Sequence, residues 1–259
     1  MSKIQIGICT SPEMVGQLAP GYDYVEFVAA NALSPLLDDE TYAPQLEELK
    51  QQVTPPIRAF NSFVPASVKL VGPEVDWDTV ETYVERAFAR AAALGGKTIG
   101  FGSGGARMVP VGFSRALAWG QLVRFCTLCA RQSERTGVVL AIEPLNHKEC
   151  NIVNSYAEAC QLARDVAQPD QVRVIADIYH FVMDGEPLSH IEEGAEWLSH
   201  VHLADSKRLW PGSGGYPLER LFRILHELGY EGMASAECGW GDDFGANTAR
   251  SLAFMRNLA

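Results

Sequence analysis

Four residues in the second half of the chain have the types and spacing of a metal site: Glu143, Asp177, His202 and Glu237. Each stands at or near the end of a short β-rich run, VVLAIE, VRVIAD, LSHVH and MASAE. Successive members lie about 30 residues apart, close to one unit of an eightfold strand–helix repeat. Strand alternation puts Val139, Ala141 and Glu143 on one face, and Met233, Ser235 and Glu237 on one face in the same manner, so both glutamates reach the same depth. A single acid at a strand end is ordinarily solvated or salt-bridged. Three carboxylates together are different: alone they repel strongly, whereas one divalent ion leaves the group near a net charge of about −1. Oxygen donors with one imidazole favour manganese first, then magnesium or cobalt, over thiolate-preferring zinc. His200 shares a strand face with His202 and is read as a deeper residue, while His180 lies three residues past Asp177, in the loop above the site.

Polar groups on four successive strand ends converge only if the strands curve around a common axis. The sequence supplies the elements for that. Short β-rich runs alternate with longer amphipathic stretches from end to end, the pattern of a parallel α/β fold. Eight strands are predicted, over 4–10, 22–28, 57–63, 98–102, 138–143, 172–177, 198–204 and 233–237. The helix before the fourth is the clearest: Asp76 caps it, Val80, Tyr83, Val84, Ala87, Phe88, Ala91 and Leu94 recur at helical steps, and Gly95 and Gly96 stop it. Similar stretches run over 113–136 before Gly137 and 218–228 before Gly229, while the first helix, near 12–18, is short. The expected fold is a (β/α)8 TIM barrel occupying 1–259 as one domain.

Composition narrows the function. Twenty-one basic against 32 acidic residues give a formal charge of −11, which opposes a nucleic-acid partner. No apolar run approaches 18 residues and no secretory leader pattern opens the chain, so a soluble, cytoplasmic protein without a membrane partner is expected. The six cysteines are scattered, and Cys126 and Cys129 form a lone CxxC within a helical stretch, so reduced thiols are expected. The run GFGSGGARMVP, with Arg107, is not a Walker loop and suggests a flexible lid or a close approach to substrate. Glu26 ends the second strand as either an acid at the barrel mouth or a salt bridge between barrel layers. His147, Lys148 and Lys207 balance charge at the rim, and Phe63, Met108, Trp210, Trp240 and Phe244 are loop aromatics and apolar residues placed to cover a ligand or to pack.

The motifs IEPLN, IADIYH, HVHLADSKRLWPGSGG and SAE, in this order, resemble the xylose isomerase-like TIM barrels, in particular the ketose 3-epimerases of the tagatose and allulose (psicose) type. The resemblance is tight over the second half of the chain and architectural elsewhere. It implies metal ligation by Glu143, Asp177, His202 and Glu237, and sugar contacts from Glu149, His180 and Arg208, with Glu149 six residues after Glu143 and Arg208 six after His202. Moving a proton beside a ketone requires a stabilised enediolate, and epimerisation requires acid–base groups on both faces of the carbon. Glu143 and Glu237 are the expected pair, on a small-molecule keto sugar epimerised at the carbon next to its carbonyl (C3). Alternatives on the same site are an aldose–ketose isomerase, including the hydroxypyruvate type, and a keto-sugar dehydratase or lyase. An apurinic endonuclease fits less well, because its extra histidines are absent where the third and fourth strand ends read FNSFV and GFGSG. A homodimer or homotetramer is expected of a barrel of this size.

Overall fold

The computed structural model describes residues 4–52 and 54–259; residues 1–3 and 53 of the expected 1–259 span lie outside the described residues. Eight parallel strands close into a barrel: β1 (Gln5–Cys9), β2 (Tyr24–Val28), β3 (Ile57–Asn61), β4 (Thr98–Phe101), β5 (Val139–Ile142), β6 (Val172–Asp177), β7 (Leu198–Leu203) and β8 (Met233–Ala236). The ring closes by pairing of β1 with β8, from Gln5 opposite Met233 to Ile8 opposite Ala236. Every expected strand is present, with ends within two residues of those predicted. The strands are short and apolar because a ring of helices covers their outer faces while side chains fill the interior.

The helices obey the sequence signals. Helix Trp77–Ala93 starts where the Asp76 carboxylate accepts from the backbone N–H groups of Asp78 and Thr79, and the chain turns away beyond it at Gly95, in the left-handed region at φ 80°. Helix Arg115–Thr136 starts two residues later than expected, because Ser114 rather than an earlier residue caps it. The short first helix is a 3-10 segment, Pro12–Gln17. His180 differs from expectation: it lies in helix Ile178–Asp184, which follows β6 without a break because Asp177 accepts from Tyr179 N–H and caps it. Among the described residues no helix is long and apolar enough to cross a membrane, and all six cysteines are free thiols.

Register sets the depth of the polar residues. Asp177 pairs with His202 and His202 with Ser235, one layer, and His200 pairs with Met233 a layer below. Gly7 clears a path across the interior: a Cβ there would stand 2.2 Å from the Tyr24 ring, so only glycine lets that tyrosine reach towards β8.

Candidate functional site

At the carboxyl ends of β5 to β8 the structure brings Glu143, Asp177, His202 and Glu237 together, one donor atom from each lying within 4.8 Å of the others. His202 is wholly buried; its Nδ1 stands 2.8 Å from Glu143 Oε1 and 3.6 Å from Glu237 Oε2. Asp177 is split in function: Oδ1 caps the following helix, and buried Oδ2 has no hydrogen bond, with His180 Nε2 beside it at 3.6 Å. An orphaned buried carboxylate oxygen is rare, since leaving it unsatisfied costs about 1–3 kcal/mol or more for a charged group.

The electrostatics carry the same message. Burial pushes the Glu237 carboxyl up, and the neighbouring charges of Glu143 and Asp177 add to that against His202 and Arg208, so it ionises at about 7. Asp177 is also raised, by burial first and by Glu143. Glu143 is buried as deeply, yet the charge and hydrogen bond of His202, with His180 and Arg208 behind, hold it down at about 2. Burial favours neutral His202, but Glu26, Glu237 and Glu143 surround it and hold its proton far above the usual histidine range. Too many anions therefore converge for the cations present, and the imbalance sits where a divalent ion would relieve it. Three carboxylates and one imidazole suit a hard, oxygen-preferring cation. Two buried carboxylates beside one cavity are thus driven apart in acidity, Glu143 held down and Glu237 pushed up.

A cavity of about 400 Å³ opens beside this cluster. Its polar wall carries Glu143, Glu149, His180, Arg208 and Glu237; Val28, Ala30, Val64 and Pro65 lie on the wall from β2 and β3. The three residues implied as sugar contacts all line it. Arg208 donates from Nη2 to Glu237 Oε2 at 2.9 Å, stands 3.6 Å from Glu149 Oε1, and stacks 4.3 Å from the Tyr179 ring centre. The Nδ1 of His180 accepts from the backbone N–H of Asn146 at 3.1 Å. That assigns the ring proton to Nε2, which is buried, makes no hydrogen bond, stands 3.6 Å from Asp177 Oδ2 and belongs to a side chain lining the cavity.

Some functional neighbours were not named from sequence. Asn61 at the end of β3 donates to Glu237 Oε1 at 3.1 Å, and Asn146 donates to Glu149 Oε1 at 3.0 Å while holding His180. Asn146 was visible in IEPLN, and a polar residue closing a strand was the available signal for Asn61. Glu26 resolves to the second of its two alternatives: wholly buried, it ties barrel layers together through His200 and His202. Cys9, Glu26 and His202 also come within metal-binding range of one another, but Glu26 is already taken by hydrogen bonds and burial holds the Cys9 thiol protonated.

The glycine-rich run after β4 is packed closely against the residues that follow β5. Buried Arg107 donates to the carbonyls of Phe101 and Glu143, both at 2.8 Å, pinning the run to the end of β5. Phe63 packs in the core against Tyr83, Phe88 and Phe125 and does not line the cavity.

Comparison with known proteins agrees with this fold. The family model described as xylose isomerase-like TIM barrel matches residues 18–258. The 3-dehydro-D-guloside 4-epimerase of Escherichia coli is 30% identical over 163 residues, 60% of this chain and 61% of that enzyme, so the match spans about three-fifths of that relative. The inosose isomerase of Halalkalibacterium halodurans is 26% identical over 84% of this chain and 78% of its own. In fold, the D-psicose 3-epimerase from Clostridium cellulolyticum H10, solved with D-tagatose, superposes with a TM-score of 0.83 at 18% identity, covering 98% of this chain and 99% of that one.

Proposed function

Because the chain belongs to the xylose isomerase-like TIM barrel family, we propose that it is a divalent-metal-dependent sugar epimerase, inverting a keto sugar at the carbon next to its carbonyl, C3 in a 2-ketose. The observation that carries this reading is the convergence of Glu143, Asp177, His202 and Glu237 beside a cavity of sugar size, with one buried Asp177 oxygen left without a hydrogen bond. The names of its relatives, among them the guloside 4-epimerase and the inosose isomerase, support a sugar substrate.

In this reading Glu143, Asp177, His202 and Glu237 hold the cation, manganese before magnesium or cobalt. When bound, it supplies Lewis-acid stabilisation of the negative oxygens of an enediolate. One of Glu143 and Glu237 takes the proton from the carbon, and the bonding electrons shift onto the carbonyl oxygen. The other glutamate returns a proton to the opposite face as the carbonyl re-forms. Each proton transfer is worth about 10²- to 10⁴-fold. His180 Nε2–H, Glu149 and Arg208 bind the sugar hydroxyls and fix which carbon lies between the glutamates. The six free thiols support a reducing, cytoplasmic location, and we place the chain there as a homodimer or homotetramer.

The test is a panel of keto sugars with added Mn²⁺ in heavy water, scored by position. Deuterium at the carbon beside the carbonyl, with inverted product, is the expected result. An aldose product with label at C1 or C2 moves the assignment to an aldose–ketose isomerase on the same site. Absence of metal-dependent exchange on every sugar defeats both. Replacing either glutamate by glutamine tests the two-base step: bound metal with exchange still at full rate refutes it.

A further inference from the structure

Behind the cluster, and sharing His202 with it, lies a polar network that neither lines the cavity nor meets solvent. Glu26, His200, His202, Ser235 and Tyr24 are all wholly buried inside the barrel. Glu26 Oε1 lies 3.0 Å from His202 Nε2, and Glu26 Oε2 lies 2.9 Å from His200 Nε2. Ser235 Oγ donates to Glu26 Oε2 at 2.6 Å, and Tyr24 Oη lies 2.7 Å from Ser235 Oγ. One carboxylate thus collects three donors from β7 and β8, and Tyr24, admitted across the interior by Gly7, closes the chain on its own strand.

We infer that Glu26 is the positioning residue for the imidazole of His202, fixing Nδ1 as the atom it presents to a metal ion. This rests on the proposed metal-dependent reading of the site. An imidazole offers two nitrogens, and the one that hydrogen-bonds to a carboxylate is its N–H. Both nitrogens of His202 face carboxylates here, Nε2 at Glu26 and Nδ1 at Glu143 and, farther off, Glu237; only the Nδ1 side belongs to the proposed ligand cluster, so a cation held there would take the place of the Nδ1 proton while Glu26 keeps the one on Nε2. Rotation of the ring about its Cβ–Cγ bond would carry Nε2 away from Glu26 and strand both groups without partners in a dry interior. The remaining bonds, from His200 and Ser235, prevent Glu26 from following the ring. The two oxygens of Glu26 are divided, one on the proposed ligand His202 and the other on the anchors His200 and Ser235.

The inference is tested by titrating Mn²⁺ calorimetrically into the unmodified chain, Glu26→Leu, Glu26→Gln and His202→Ala, with circular dichroism to confirm folding. Loss of a carboxylate behind a ligating histidine costs about 10- to 100-fold in metal affinity, and Glu26→Leu is expected in that range. Glu26→Gln keeps one acceptor oxygen for His202 and turns the other position into an N–H donor facing His200 and Ser235. It decides the matter if the leucine variant does not fold, with an expected loss of about 10-fold. Nitrogen-15 spectra of the imidazoles, recorded with diamagnetic Mg²⁺ in place of Mn²⁺, supply a readout that mere stability would not move: His202 protonated at Nε2 with Nδ1 on the metal in the unmodified chain, and mixed tautomers in the variants. Variants that melt earlier yet bind Mn²⁺ as tightly, with His202 unchanged, overturn the role of Glu26 alone. An unmodified chain whose Mn²⁺ binding is indifferent to His202→Ala overturns the metal site itself, and this inference with it.

Discussion

Gly102 offers the sharpest test of whether the position of the Glu143 carboxylate matters. It follows β4 directly, lines the cavity, and its backbone is not in the left-handed region, so alanine introduces no conformational strain. A Cβ there would stand 2.3 Å from Glu143 Oε2, whereas Cβ contacts below 3.0 Å essentially do not occur. The carboxylate must therefore retreat by about 0.7 Å or more, the scale on which a misplaced catalytic group costs about 10²-fold. Retreat is not free, since Oε1 is held by His202 Nδ1 at 2.8 Å and the Glu143 main chain is held by Arg107. Gly102→Ala is expected to lower kcat/KM in the deuterium-exchange assay about 10²-fold. Its stability cost should stay within the 1–3 kcal/mol or so of an overpacked site, read by thermal denaturation. Gly120→Ala is the control: it lies inside helix Arg115–Thr136 with nothing within 4 Å, and should leave activity intact and stabilise the helix by up to about 1 kcal/mol. Full activity and full Mn²⁺ affinity in Gly102→Ala would refute the assignment of Glu143.

Two further outcomes are expected. In chelator-treated protein, Glu237 titrates at about 7 rather than near 4.5, so the folded state binds a proton that the unfolded state has lost between those values. Stability is thus fully present below pH 4.5 and falls as pH rises towards 7, by at most about 3 kcal/mol for this group; saturating Mn²⁺ should flatten the fall and raise Tm. A Tm that climbs over that window without metal contradicts the electrostatic picture. Asp205→Ala probes the loop presenting Arg208: buried Asp205 accepts from the backbone N–H groups of Ser206, Gly212 and Tyr216, while Lys207 and Arg208 sit at φ 63° and 56°. Losing that anchor should cost about 1–3 kcal/mol and raise KM for the sugar; an unaltered KM on a folded variant shows that Arg208 needs no such support.

The barrel was legible because its code is local. Strand β5 announces itself in VVLAIE, and helix Trp77–Ala93 in a capping aspartate, a three- and four-residue apolar rhythm and a closing glycine pair. The convergence of Glu143, Asp177, His202 and Glu237 was legible for a related reason, since each stands at a strand end and closure of the ring brings such ends together. The partnerships of Glu26 and Asn61 were not. Glu26 meets its histidines across 174 and 176 residues of chain, and Asn61 meets Glu237 across 176; period carries no information on which residues face each other across a barrel interior. The run GFGSGG left two readings open for a physical reason: glycine permits flexibility, and it equally permits close contact. At Gly102 and Gly104 the neighbouring Glu143 side chain and Glu149 backbone occupy the space a Cβ would need, so small size, not mobility, is what those positions use.

The layout of the ring bears directly on the two-base proposal. Adjacent strands in an eight-stranded barrel are separated by about 45° around the axis, so β5 and β8 stand about 135° apart, nearly across the mouth from each other. Asp177 and His202 rise from β6 and β7 between them, and Val28, Ala30, Ser62 and Val64 bound the cavity from the β2 and β3 side. Glu143, Asp177, His202 and Glu237 would hold a cation from this arc, and a sugar entering from the open side would meet Glu143 and Glu237 on its two flanks. The supports of the two glutamates differ accordingly. Glu143 has His202 on one oxygen and the backbone of Gly102 behind the other, whereas Glu237 is gripped on both oxygens, by Asn61 and by Arg208. Because Arg208 reaches Glu237 and also stands 3.6 Å from Glu149, a sugar hydroxyl that draws the guanidinium towards Glu149 would loosen its hold on Glu237. Substrate binding and the acidity of one of the two bases are then coupled through a single side chain, and Arg208→Lys, which cannot make the forked contact, should separate them: weaker sugar binding together with a displaced pH profile of kcat.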